Sequence, residues 1–335
     1  MDFKKLEKIL KDEPRYRLKQ IGKLIFQDFI DNWEDATNLP KGLREELNKN
    51  FSLDIKSEFF ISKNKRTVKA VLELADKSLI ETVLMQYKER NTVCLSCQVG
   101  CALGCKFCAT GKMGFKRNLE VYEIFEQLLL FARYLKKDKE RINNVVFMGM
   151  GEPFLNYDNV ISAIKIINDK DKFNIGARKI SISTAGIIEG INRLALENMQ
   201  VNLAVSLHAP NDELRKRIMP IAKKYTIYEI MKAIDDYLKK TGRKVMIEYV
   251  MIDGVNDAIE NAQALSKLLC HKLCMANLIT YNPTEDYKPS KKENIEQFME
   301  ILEKNKIEAV LRASFGHDVQ GACGQLTKDI KCAIV

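Results

Sequence analysis

The chain has 335 residues, 46% of them apolar and 30% charged, a balance that excludes a disordered or fibrous protein and suits a sizeable folded core. The opening stretch, MDFKKLEKIL, is charged throughout and no apolar run approaches bilayer-crossing length, so neither a secretory signal nor a membrane-spanning helix is expected, and a cytoplasmic location is. The net charge of +9 permits an RNA partner and is equally compatible with a solvated basic surface.

From Leu6 to about Asn50 apolar residues recur at helical spacing (Leu6, Ile9, Leu10; Leu18, Ile21, Leu24, Ile25, Phe29), interrupted by Pro14 and the turn at Leu39 and Pro40. Residues 1–55 therefore read as a small helical accessory domain. Residues 56–91 alternate and carry Asn and Lys turn signals, which suggests a short β linker or extension, a few antiparallel strands that lead into the main body. After residue 92 the pattern becomes strand then helix, repeated. The candidate strands are TVCLSC, NNVVFMGM, KISIST, VNLAVSLH, KVMIEYVMI, ANLITYN and EAVLRAS, with helical stretches such as EVYEIFEQLLLFARYLKK and DNVISAIKIIND between them. Such alternation calls for a parallel sheet covered by helices, because each parallel pairing needs a crossover. Six or seven units fall short of eight. The expected fold is therefore α/β, an incomplete (β/α) barrel over residues 92–326 with 327–335 as a tail; a doubly wound open sheet is the second choice. In either fold functional residues belong at the carboxyl ends of the strands.

Nine cysteines without an export signal point to metal ligands or catalytic thiols rather than structural disulfides. Five of them, Cys94, Cys97, Cys101, Cys105 and Cys108, fall within fifteen residues. Cys101, Cys105 and Cys108 have the spacing C-x3-C-x2-C, and three thiolates on a tight loop can hold three irons of a 4Fe-4S cube. The fourth iron is then free to be chelated by the amino and carboxylate groups of S-adenosylmethionine. The competing arrangement is a zinc ribbon on Cys94, Cys97, Cys105 and Cys108, although only seven residues separate those two pairs and Cys101 would have no role.

The run CQVGCALGCKFCATGKMGFKRNL, with FMGMGEP, SISTAG, SLHAPND, YNP and FGHDVQGACGQL, resembles the RlmN/Cfr family of radical S-adenosylmethionine ribosomal RNA adenine methyltransferases. The resemblance extends from PRYRLKQIGKLIF to Leu326 and implies a helical domain ahead of an incomplete barrel. It implies that Cys101, Cys105 and Cys108 bind the cluster. It further implies that Gly151, Glu152, Ser183, Ser206, Leu207, His208 and Asn282 hold S-adenosylmethionine, two molecules of which are used per turnover. In the family, Cys323 accepts a methyl group, a radical formed on that methyl adds to the base, and Cys94 attacks the Cys323 sulfur to release the product as a disulfide forms. Glu81 matches the proton acceptor for the substrate carbon.

The implied substrate is an adenosine in the peptidyl-transferase centre of 23S rRNA and, in some members, the adenosine beside the anticodon of tRNA. The implied partners also include an electron donor such as a flavodoxin or ferredoxin, and a monomer is expected. FMGMGEPFLN with its Pro153 is similar to the C2-methylating branch, while CATGKMG and RASFG share features with the C8-methylating, antibiotic-resistance branch. A zinc-bearing RNA-binding protein without catalysis is the reading of another kind. Lys63, Lys65, Arg66, Lys112, Lys116 and Arg117 are candidate phosphate contacts or, equally, solvated charge. Cys270 and Cys274 read as helix residues and Cys332 as a tail thiol.

Overall fold

The computed structural model describes residues 3–284 and 287–327. Its first part is helical: α1 (Phe3–Ile9), α2 (Arg15–Phe26) and α3 (Lys41–Asn50) enclose a small core around Trp33, whose Nε1–H donates to the Phe51 carbonyl at 2.7 Å. Strands β1 (Ser57–Ile61), β2 (Thr67–Glu73) and β3 (Leu79–Gln86) follow as an antiparallel meander. These strands extend the main sheet, because β3 pairs antiparallel with β4 (Asn91–Cys94), the first strand of the alternating region.

Next comes a hairpin, β5 (Gln98–Gly100) with β6 (Phe115–Asn118), that embraces the cysteine loop and the short helix α4 (Ala109–Lys112). The parallel strands β7 (Asn144–Phe147), β8 (Ile180–Thr184), β9 (Asn202–Ser206), β10 (Val245–Met251), β11 (Cys274–Thr280) and β12 (Ala309–Arg312) then continue from β4 in sequence order. All seven candidate strands form, and the sheet of the described residues runs β1-β2-β3-β4-β7-β8-β9-β10-β11-β12 without closing. Strands such as β10, buried along nearly their whole length, read as near-continuous apolar runs because both faces of a parallel sheet are covered.

The covering helices are α5 (Val121–Lys136), α6 (Tyr157–Asn168), α7 (Ile188–Leu194), α8 (Asp212–Ile218), α9 (Ile227–Thr241), α10 (Ile259–Leu269) and α11 (Lys292–Lys304). Helix α5 is apolar around most of its circumference, as expected of a helix buried on two sides. Ile124, Leu128 and Phe131 face the barrel, whereas Phe125 and Leu129 join the core of the N-terminal helices. Arg133 on the same helix donates to the carbonyls of Leu53 and Ile30, fastening the two parts together.

The chain after β12 crosses the open side of the sheet. Phe315 packs edge-on against Tyr87, the Lys63 amide donates to Asp318, and the Thr327 amide donates to Glu81 of β3 at 2.8 Å. Gly316 (φ +71°) lies where a Cβ would come within 2.6 Å of Thr67, so this crossing requires glycine. The segment that carries Cys323 is thereby fastened to β2 and β3.

Candidate active site

The carboxyl ends of the parallel strands converge on one cavity. Its lining includes Cys101, Cys105 and Cys108, then Gly151, Glu152, Ser183, Ser206, His208, Asn282 and Cys323. The cysteine loop is held from two sides. The Cys108 amide donates to Cys105 O, and the first turn of α4 is tied to the C-terminal segment by Ala109 N–H to Gly324 O at 2.8 Å and Thr110 Oγ1 to Leu326 O at 2.7 Å. A Cβ on Gly111 would lie 2.8 Å from Cys105 O and 2.9 Å from Cys105 N, backbone atoms that cannot turn aside. Gly111→Ala is accordingly expected to distort the loop and sharply lower iron and sulfide per purified chain while far-UV circular dichroism is unchanged; undiminished iron would contradict this packing.

Three thiols opening onto one cavity fit a 4Fe-4S cube, in which each thiolate meets a different iron. The zinc ribbon fits poorly: Cys94 and Cys97 do not line this cavity with Cys105 and Cys108. Cys97 is buried and its thiol reaches the Met150 carbonyl at 3.6 Å, while Cys94 lines a second cavity with Cys323.

Glu152 follows Gly151, whose φ of +100° and a Cβ approach of 2.5 Å to Gln98 admit only glycine. The Glu152 carboxylate accepts from Ala185 N–H at 2.7 Å and Phe154 N–H at 3.0 Å, yet burial pushes its pKa up to about 7. A buried carboxylate so disfavoured invites a cation, and the ammonium of S-adenosylmethionine is one. Because the folded pKa lies above the ordinary 4.5, the folded protein holds more protons than the unfolded chain in between. The cofactor-free protein should lose up to a few kcal/mol as pH rises from 4.5 to about 7. Denaturant titrations across that range should show this slope in the wild type and not in Glu152→Gln.

Ser183 and Ser206 sit at neighbouring strand ends with their hydroxyls 3.3 Å apart, suited to a ribose or carboxylate. His208 adopts a left-handed backbone (φ +58°), stacks edge-on against Phe107, and accepts from Val250 N–H through Nδ1 at 3.0 Å. Burial lowers its pKa to about 3, so the ring is neutral and its remaining proton sits on Nε2. Leu207 does not share the cavity. Strand alternation turns its side chain into the core, and only its backbone, with N–H to Glu248 O at 3.1 Å, belongs to the site. Asn282 donates to the Cys323 carbonyl at 2.9 Å and accepts from Ser314, so in this arrangement it positions the C-terminal segment.

Cys323 is open to the cavity, and Cys94 lies across a shared wall in the second cavity, which is also lined by Met148, Asn282, Arg312 and Cys323. Glu81 lines neither. It lies beneath Thr327 and is bound to Lys69 Nζ at 2.9 Å, and burial still raises its pKa against that pull.

Two charged residues of the cavity wall escape a reading of motifs. Glu248 on β10 accepts from Asn277 at 2.9 Å on both oxygens, and Arg312 ends β12 with Nη1 donating to Met148 Sδ at 3.0 Å. Other expectations shift as well. Arg117 is committed to Asp76 and Glu123 and Lys116 to Asp76 and Ser78, which weakens both as phosphate contacts. Cys274 begins β11 instead of lying on a helix, Cys270 is exposed at the end of α10, and Cys332 lies outside the described residues.

An incomplete parallel barrel with three loop thiols and a buried carboxylate at its carboxyl rim defines an enzyme that pairs an iron–sulfur cluster with S-adenosylmethionine. A family model described as the Radical SAM superfamily matches residues 95–265. The crystal structure of a radical SAM methyltransferase from Sphaerobacter thermophilus has a TM-score of 0.93 to this chain at 42% identity, covering 97% of each. The "Probable dual-specificity RNA methyltransferase RlmN" of Dictyoglomus turgidum is 48% identical over 316 residues, 94% of this chain and 91% of that protein. The "Ribosomal RNA large subunit methyltransferase N" of Nitrosopumilus maritimus is 44% identical over 327 residues, 94% and 93% respectively. The chain belongs to the RlmN family of radical SAM RNA methyltransferases, with a 4Fe-4S cluster and S-adenosylmethionine as its cofactors. No helix of the described residues is long and apolar enough to cross a membrane.

Proposed function

We propose that the protein methylates C2 of an adenosine in the peptidyl-transferase centre of 23S rRNA, and also the adenosine beside the anticodon of tRNA. The observation that carries this reading is that Cys323 lines both the cavity of the three cluster thiols and the second cavity, which it shares with Cys94. Adenine C2 is electron-poor and bears no nucleophilic lone pair, so transfer to it needs a radical route and a protein sulfur to carry the carbon. Curated relatives of the RlmN branch support C2 over C8, and the words "dual-specificity" in one such name support two RNA substrates.

The cluster and S-adenosylmethionine, when bound, supply the methyl group, the electron and the adenosyl radical. The chain's own groups do the rest. Cys101, Cys105 and Cys108 hold the cluster, while Glu152, Ser183, Ser206, His208, Asn282 and the backbone at Gly151 and Leu207 hold and orient the nucleoside. Cys323, open to the cavity, carries the carbon; Glu81 takes the proton from C2; and Cys94 attacks the Cys323 sulfur to release the base. Glu81 must first exchange its bond to Thr327, so movement of the C-terminal segment accompanies entry of a base that has been unstacked from its RNA. An electron donor of the flavodoxin or ferredoxin type and a cytoplasmic monomer complete the reading.

Mass spectrometry of rRNA and tRNA from a C2-deficient host that expresses this chain should show 2-methyladenosine. 8-Methyladenosine alone would transfer the protein to the other branch.

A further inference from the structure

Release as read above requires Cys94 to act as a thiolate, yet its surroundings oppose ionisation. Cys94 is buried at the end of β4, and burial, with the neighbouring Cys323, pushes its thiol up to about 12. At neutral pH such a thiol is almost wholly protonated and a poor nucleophile. Two groups work the other way: the Arg312 guanidinium and the Met148 backbone N–H.

Among the described residues Arg312 is the one Lys or Arg that lines either cavity, and it lines both. Its direction is fixed, since β12 pairs Arg312 with Ile279 of β11 and its Nη1 is bonded to Met148 Sδ. His208, the other basic side chain of the cofactor cavity, is held by Val250 and Phe107 and is neutral. The groups that face Cys94 or its guanidinium partner are Cys323 and Cys97 on one side, and Glu248 and Tyr87 on the other, all of which are anionic when ionised. Glu248 is kept at its place by Asn277.

We propose that Arg312 is the positioning residue that holds the Cys94 sulfur as a thiolate for the release step, an inference that rests on the function proposed above. Once the adduct's unpaired electron has left the base, for which the cluster when bound would be the acceptor, and Glu81 has taken the C2 proton, the Cys94 thiolate forms the S–S bond as the bond from Cys323 sulfur to the methylene breaks. That bond's electron pair leaves with the carbon into the ring, and a proton completes the methyl group. The two cysteines are oxidised to a disulfide and the carbon is reduced.

The test compares wild type, Arg312→Gln and Arg312→Lys as cluster-loaded protein under anaerobic conditions. Alkylation of Cys94 by iodoacetamide is followed by peptide mass spectrometry across pH, and RNA-linked protein is followed on denaturing gels. Arg312→Gln should slow Cys94 alkylation at pH 8 by about tenfold, as an upward shift of one pH unit requires, and should accumulate RNA-linked protein. Arg312→Lys should recover part of both. An unchanged Cys94 profile in Arg312→Gln, or loss of deoxyadenosine formation from S-adenosylmethionine in that variant, would overturn the proposal; the latter would place Arg312 with the cofactor. Should the Gln variant fail to fold, the Lys variant must still show an intermediate Cys94 profile. Cys94→Ala separates the two levels. If it traps no RNA, the underlying reading fails, and if it traps RNA while Arg312→Gln does not, only the role of Arg312 fails.

Discussion

Replacing Cys94 with Ala is expected to leave the protein covalently joined to its RNA. The carbon would still be carried by Cys323, which is open to the cofactor cavity, and the base would still be attacked, but the one thiol placed to reach the Cys323 sulfur through the shared wall would be gone. Denaturing gels should then show an RNase-sensitive band of higher mass, with product release reduced on the order of a thousandfold or more, as when an acting nucleophile is deleted. Cys323→Ala should reduce methylation as far and yield no such band. Together the two variants separate carriage of the carbon from its release, and a Cys94→Ala protein that turns over normally would remove the second sulfur from the mechanism.

The second large effect concerns the loop. Alanine at Cys101, Cys105 or Cys108 removes one of three iron anchors of the loop, and the two nearest cysteines in sequence, Cys94 and Cys97, are turned into the second cavity and the core. Each variant should lose the brown colour of the purified protein and, with it, cleavage of S-adenosylmethionine down to background. Cys97→Ala discriminates between metal centres. It truncates a buried side chain at modest cost in stability, on the order of 1 kcal/mol, and should keep its iron. A zinc ribbon would lose its metal in that variant.

Much of this was legible in the sequence for definite physical reasons. Buried parallel strands such as Val245–Met251 are apolar nearly throughout, and the helices between them repeat at 3.6 residues, so order and number of the units could be read. The close spacing of Cys101, Cys105 and Cys108 is local and needs no tertiary knowledge. What stayed hidden depends on contacts remote in sequence. The antiparallel strands before residue 91 could be read as a linker or an extension, because their junction with the barrel is a pairing of β3 with β4, which alternation alone does not reveal. Strands of three and four residues, as in the hairpin around the cysteine loop, are too short to show a period. Glu248 and Arg312 look like ordinary charges until the strand ends are brought together. Lys69 stands twelve residues from Glu81 and meets it only across the β2–β3 register. Leu207 shows what a motif hides, since its side chain is buried in the core and its backbone alone is left to take part in the site.

The most direct measurement is anaerobic incubation of iron- and sulfide-reconstituted protein with S-adenosylmethionine and a strong reductant, followed by chromatography for 5′-deoxyadenosine. The three thiols of one loop, facing the buried Glu152 across a single cavity, predict a brown protein that forms this nucleoside. A colourless preparation that retains zinc, or one that binds iron and leaves the sulfonium intact, would contradict the account.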